Sequence, residues 1–106
     1  MKVYFLYVTF KNIHEAKKIG KLLVKSKLAA CVNIFPNIIS IYAWKNKLYD
    51  DEECSAIFKT QKTKVSQVIR TISKIHSYDC PSISAFPIEK MHAEFQKWII
   101  NQTKNS

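Results

Sequence analysis

A thiol and an imidazole are the two side chains in this sequence best suited to soft-metal chemistry. Cys31 opens a long apolar stretch, and His76 heads the segment His76-Ser77-Tyr78-Asp79-Cys80-Pro81. A thiolate and an imidazole brought together by the fold would favour copper or zinc over a hard cation. Each also has a plainer reading. Free cysteine is among the most buried residue types, and a histidine near a helix C-terminus serves as a cap or a dipole partner. His14 and His92 fall in predicted helices with no His or Cys four residues on, and read as surface residues. The three cysteines, Cys31, Cys54 and Cys80, are widely spaced and odd in number. No Cys-x-x-Cys or His-x-x-x-His pair offers a zinc framework, so free thiols in a reducing compartment fit best.

Other chemistry is thinly represented. The block Asp50-Asp51-Glu52-Glu53 could attract a hard cation, but it lacks the glycine and alternating ligands of a calcium loop and reads as a solvated bend. There is no Ser/His/Asp order and no glycine-rich phosphate cradle, since the single glycine, Gly20, lies inside a predicted helix. An enzyme is therefore not expected, nor an organic cofactor. Tyr42 and Trp44 share one strand face by their two-residue spacing. They could stack bases, but no RNA-recognition signature accompanies them, and they read first as anchors of an oligomer interface.

The formal net charge is +9, nearly all of it lysine, with Arg70 the one arginine. Lysine, isoleucine and asparagine are all abundant, which looks like compositional bias as much as selection for a polyanion. Charge alone is a non-specific signal, so no specific nucleic acid is expected. No apolar run approaches the roughly 18–20 residues of a membrane span. After Met1-Lys2-Val3-Tyr4-Phe5-Leu6 no small-residue cleavage site follows. A first strand and a cytoplasmic location are expected.

The elements that must position these residues follow from periodicity. Residues 1–106 read as a single domain. Val3 to Thr9 reads as a central strand, apolar on both faces. Asn12 and Glu15 suggest a capping box for a helix from Ile13 to about Ser26. Its inner face carries Ile13, Ala16, Ile19, Gly20 and Leu23, with lysines outside. The stretch from Cys31 to Trp44 is rich in β-branched and aromatic residues. It reads as two strands separated at Pro36-Asn37 and forming the centre of the sheet. Lys45-Asn46-Lys47 makes a hairpin turn, and the return strand, interrupted by the acidic block, resumes through Cys54 to Thr60. Thr63 caps a helix from Lys64 to about His76, with Val65, Val68, Ile69, Ile72 and Ile75 as its apolar stripe. A last strand spans Ile83 to Ile88, with Pro87 indicating an edge. A closing helix from about Met91 to Asn101 carries Met91, Phe95, Trp98 and Ile99 on one face, and residues 102–106 form a frayed tail. The order is that of an α+β, ferredoxin-like βαββαβ sandwich with an extra C-terminal helix.

Several motifs then occur in sequence order: Lys27-Leu28-Ala29-Ala30-Cys31-Val32-Asn33, Ser40-Ile41-Tyr42-x-Trp44, Lys47, Glu53, Lys59-Thr60, His76-x-Tyr78-x-x-Pro81-x-Ile83 and Trp98. Together they resemble the CutA divalent-cation-tolerance family along nearly the whole chain. The resemblance implies a compact homotrimer, similar in architecture to PII signalling proteins, with lateral clefts between subunits. It implies a cytoplasmic, non-enzymatic role in tolerance of copper and other divalent cations. Cys31 and His76 match implied metal-site candidates, for copper or zinc. Tyr42, Trp44, Glu53, Lys59 and Tyr78 match positions expected near the intersubunit cleft, where a divalent cation or a small ligand would bind. A PII-like trimer binding a small anionic metabolite beside Lys59, or a protein partner, is the alternative. Two positions depart from the pattern: Ser77 replaces the proline after the histidine, and Ser82 replaces a glutamate, removing a hard-cation ligand. Val8-Thr9 stands where some relatives carry a cysteine.

Overall fold

The computed structural model describes residues 2–104. Its order is β1 (Val3–Phe10), α1 (Ile13–Lys25), β2 (Cys31–Trp44), β3 (Lys47–Gln61), a 3-10 turn (Lys62–Lys64), α2 (Val65–Ile75), β4 (Ile83–Pro87) and α3 (Ala93–Gln102). The four strands form one antiparallel sheet in the order β2-β3-β1-β4. This is the expected ferredoxin-like arrangement with its added C-terminal helix, and the order puts β1 inside the sheet and β4 at an edge.

Period-two alternation sends Leu6, Val8 and Phe10 of β1, with Cys54, Ala56 and Phe58 of β3, to one face. There they pack against Ala16, Ile19 and Leu23 of α1 and Val68 and Ile72 of α2 in the main core. On the opposite face Val3, Ala30 and Ile99 make a second core with Phe5, Met91 and Phe95, so α3 covers one end of that face. Asn12 caps α1 as expected, its side chain accepting from the Glu15 amide at 2.9 Å. Beyond Lys25 the chain reverses with Lys27 at φ 62°, while the Leu28 amide donates to the Leu23 carbonyl at 2.9 Å. Such a reversal satisfies carbonyls that the helix end leaves free, and it aims the next residues into β2.

Several expectations need correcting. Cys31 to Trp44 is one strand, and it lies at the edge of the sheet, not its centre. Pro36 and Asn37 form a bulge, two residues facing only Cys54 between the pairs Phe35↔Ser55 and Ile38↔Glu53. An edge strand tolerates the missing proline N–H because the bulge already breaks the ladder there. The acidic block does not interrupt β3, which is continuous from Lys47 to Gln61. Its carboxylates alternate instead, with Asp51 and Glu53 opposite Ser40 and Ile38 on one face and Asp50 and Glu52 opposite Ile41 and Ile39 on the other. Thr63 lies in the 3-10 turn, and α2 begins after Lys64 with no side-chain cap. Ile13, Ile75 and Trp98 are exposed rather than packed inward. Within the expected frayed tail, Thr103 is fully buried and its hydroxyl accepts from the Gln61 side-chain amide at 2.9 Å. Asn105 and Ser106 lie outside the described residues.

The bulge has a large effect on the site. An extra residue shifts the face alternation by one, so Tyr42 and Trp44 share the face of Cys31, Asn33 and Phe35. Past the last β1–β3 pair, Phe10↔Cys54, the ribbon 38–44/47–53 continues without a third strand. Seven residues of strand extend it by about 23 Å, in keeping with a molecule 46 Å long and 22–26 Å across.

Gly20 sits inside α1, where a Cβ would meet only the Val32 side chain at 3.5–3.7 Å, an ordinary contact. Interior glycine costs a helix about 0.5–1 kcal/mol relative to alanine. Gly20→Ala is therefore expected to raise the thermal midpoint by about 2–8 °C, measured by circular dichroism.

Candidate functional site

The polar side chains collect where β1 ends and the ribbon begins. Directly after α2 the backbone turns extended at His76 (φ −71°, ψ 143°), and this swings the ring over the end of the sheet. The ring stacks on Phe10, with centroids 4.9 Å apart and planes 15° apart. Its Nε2 lies 2.7 Å from the Thr9 carbonyl oxygen, and its Nδ1 accepts from the Tyr78 amide at 3.0 Å. A carbonyl only accepts, so Nε2 carries the proton and the imidazole is the neutral tautomer. Both ring nitrogens are thus engaged in a residue only 9% exposed. A metal could take either one only by displacing a hydrogen bond.

Tyr78 continues the network, its hydroxyl donating to Glu53 Oε2 at 2.6 Å. Burial and then the Glu53 carboxylate push this phenol well above its usual range. Farther along the ribbon, Tyr42 stacks on Tyr49 at 5.2 Å and donates to Asp51 Oδ2 at 2.5 Å. That hydrogen bond, more than any other influence, pushes the Tyr42 hydroxyl up to about 12. Both phenols stay protonated at neutral pH and act as donors.

Glu15, read from sequence as part of a capping box, has its carboxylate turned to the loop after α2. It accepts from the Ser77 amide at 2.8 Å and from the Ser77 hydroxyl at 3.0 Å. A proline at position 77 could supply neither donor, so the departure from the family pattern brings its own anchor for the loop. Burial raises the Glu15 pKa, but hydrogen bonds from the Ser77 hydroxyl and amide and from the Lys11 amide outweigh it, and the group ionises below its ordinary 4.5. A lowered folded-state value means the contribution to stability is complete above the ordinary value and fades as pH falls through the folded one. Glu15→Gln is accordingly expected to destabilise at pH 7, with the gap to the parent closing on acidification below about pH 4.5, measured by urea unfolding at several pH values.

Cys31 and Lys59 form a separate group. They pair across β2 and β3, about four residues or 13 Å along the sheet from Ser55, the partner of Thr9. The structure therefore does not place Cys31 beside His76 within one chain. The thiol is half-buried. Burial pushes its pKa up and the Lys59 ammonium pulls it partly back. Lys59 Nζ itself lies 5.1 Å from the Phe5 ring centroid and 5.3 Å from that of Phe95. Trp44 sits near the ribbon tip, opposite Lys47. His14 and His92 are exposed, as expected.

His76, Tyr78 and Glu53 are thus brought together, with Tyr42 farther along the same ribbon, while Cys31 and Lys59 lie elsewhere on the sheet. Asp51, Glu15, Thr9 and Phe10 belong to the network as well and were missed by sequence reasoning. Alternation in a continuous β3 would have singled out Asp51. Nothing local signals a backbone carbonyl or the loop role of Glu15. No group of three or more His, Cys, Asp or Glu side chains that could hold a metal ion is present among the described residues.

Residues 4–102 match the family described as CutA1 divalent ion tolerance protein. A divalent-cation tolerance protein CutA from Archaeoglobus fulgidus is 43% identical over 95 residues, covering 90% of this chain and 92% of that one. A CutA homolog from Xenopus laevis is 42% identical over 93 residues, covering 88% of this chain but only 62% of the relative. The crystal structure of CutA1 from Ehrlichia chaffeensis superposes with a TM-score of 0.95 at 34% identity, covering 99% of both chains. The A. fulgidus structure, described as a periplasmic divalent cation tolerance protein, gives 0.93 at 39% identity, covering 96% of this chain and 99% of that one. A relative from Arabidopsis thaliana, 37% identical over 94% of this chain and 55% of its own length, is described as chloroplastic. With matching motifs, matching topology and a family match over most of its length, the chain belongs to the CutA divalent-ion-tolerance family.

Proposed function

We propose that the protein is a non-enzymatic, homotrimeric CutA subunit that serves the response to divalent metal ions. Clefts between subunits hold a copper-type divalent cation or a small ligand. The observation that carries this reading is the ribbon. Ile39 and Ile41 are each 68% exposed, Leu48 76% and Trp44 59%, on an element with no third strand. Side chains of this size exposed together on both faces of a two-stranded ribbon mark an association surface. A neighbouring copy that covers it would close a cleft over Tyr42, Glu53 and Tyr78.

One chain offers no three-donor metal group among its described residues, so a cation would be shared between copies. Cys31 is the better-placed soft donor, because His76 has both nitrogens occupied. The same occupancy leaves His76 unsuited to act as a general base, in keeping with a non-enzymatic role. A thiol whose pKa is raised by burial must lose its proton to bind metal, so uptake should weaken as pH falls. The three free thiols favour a reducing compartment, the cytoplasm. Among the described residues no helix is long and apolar enough to cross a membrane.

The test is titration of the purified protein with Cu²⁺ and Zn²⁺ under reducing conditions, followed by bound-metal analysis. Saturable binding that is lost in Cys31→Ser and weakens at lower pH supports the reading. Absence of saturable binding removes the metal role. A second reading, a PII-like signalling trimer for a small anionic metabolite or protein partner, draws on the Lys59 ammonium held between Phe5 and Phe95. A thermal shift with a nucleotide, abolished by Lys59→Met, would favour it.

A further inference from the structure

A groove of about 650 Å³ runs between α1 and the edge strand β2, apart from the network around His76. Val24, Val32 and Ile34 give it an apolar lining, and Lys17, Lys21 and Lys25, spaced one turn apart on α1, line it as well. All three lysines are exposed, as long stems with charged heads in water allow. The single carboxylate of α1, Glu15, is buried on Ser77 and leaves this row of charge uncompensated by its own helix. The chain's one glycine also lines the groove, at a helix position where packing does not demand it, since a Cβ would make only ordinary contact with Val32. A larger side chain there would extend past the Val32 wall into the groove.

We propose that this groove binds an amphipathic anion, an acyl chain ending in a carboxylate or phosphate. The chain lies along Val24, Val32 and Ile34, and the headgroup meets Lys17, Lys21 and Lys25. The volume is in the range of small-molecule sites. Apolar lining with a row of ammonium groups fits both ends of such a ligand. No arginine or aromatic side chain lines the groove, which disfavours stacking of nucleic-acid bases. A concave slot also suits one chain better than a flat bilayer surface.

The experiment titrates the full chain with decanoate, decyl phosphate, decanol and vesicles of anionic phospholipid, followed by calorimetry. Decanoate or decyl phosphate is expected to saturate, about tenfold tighter than decanol. The ratio between the two anions identifies the preferred headgroup. The double variant Lys17→Gln/Lys21→Gln should weaken the anions about tenfold and leave decanol unchanged. Gly20→Leu, checked for folding by circular dichroism, should weaken all three. If Gly20→Leu fails to fold, the lysine variant still decides. Equal binding of decanol and decanoate, insensitivity to the lysine changes, binding to vesicles alone, or no binding because a second copy covers the groove would each overturn the proposal.

Discussion

Changing Ile39, Ile41 and Leu48 together to serine is expected to turn the assembled protein into a folded monomer. None of the three belongs to either core, so the fold does not depend on them. Their exposure of 68%, 68% and 76% makes them the apolar surface that a second copy would cover. Burying each such side chain contributes about 1.5–3 kcal/mol, so losing all three should weaken association by about a thousandfold or more. Sedimentation velocity across a range of concentrations would read the change. Circular dichroism should show unaltered secondary structure. If the triple variant kept the mass of the parent, the ribbon would not be the association surface, and the cleft at its base would lose its second wall.

The second large effect concerns His76. His76→Ala is expected to cost about 2–4 kcal/mol of folding stability, read as a lower urea midpoint with an unchanged slope. The loss combines a cavity against Phe10 with two broken hydrogen bonds, one from Nε2 to Thr9 and one from the Tyr78 amide to Nδ1. Copper binding by the folded fraction should persist. A metal-ligand role predicts the reverse, with affinity lost and stability nearly kept. His76→Gln sharpens the contrast, because an amide can replace one of the two hydrogen bonds and should recover part of the stability.

These effects bear on what the sequence made legible. The ferredoxin-like order was readable because each element carries its own period: the stripe around Val68 and Ile72, the alternation from Cys54 to Phe58, the Asn12 cap. What escaped was tertiary. Pro36-Asn37 has the local chemistry of a break, and only the pairing of β3 with both flanks shows that it is a bulge. Four adjacent acids suggest a bend, yet in a two-stranded ribbon alternation sends them to opposite faces without interrupting the strand. Tyr42, Glu53 and Tyr78 were recognisable from the family motifs, while Asp51 and Glu15 were not. Asp51 needed the register, and Glu15 needed the contact of α1 with the loop at Ser77. His76 shows the opposite failure. Its residue type suits a metal, but Thr9 and the Tyr78 amide already satisfy the ring, a fact invisible to spacing.

The central claim is that the ribbon drives assembly and so creates the clefts. Multi-angle light scattering on the unmodified protein, with and without one equivalent of Cu²⁺, tests it most directly. The account predicts three times the 12.3 kDa chain mass in both conditions. A monomer at micromolar concentration, in either condition, would contradict it.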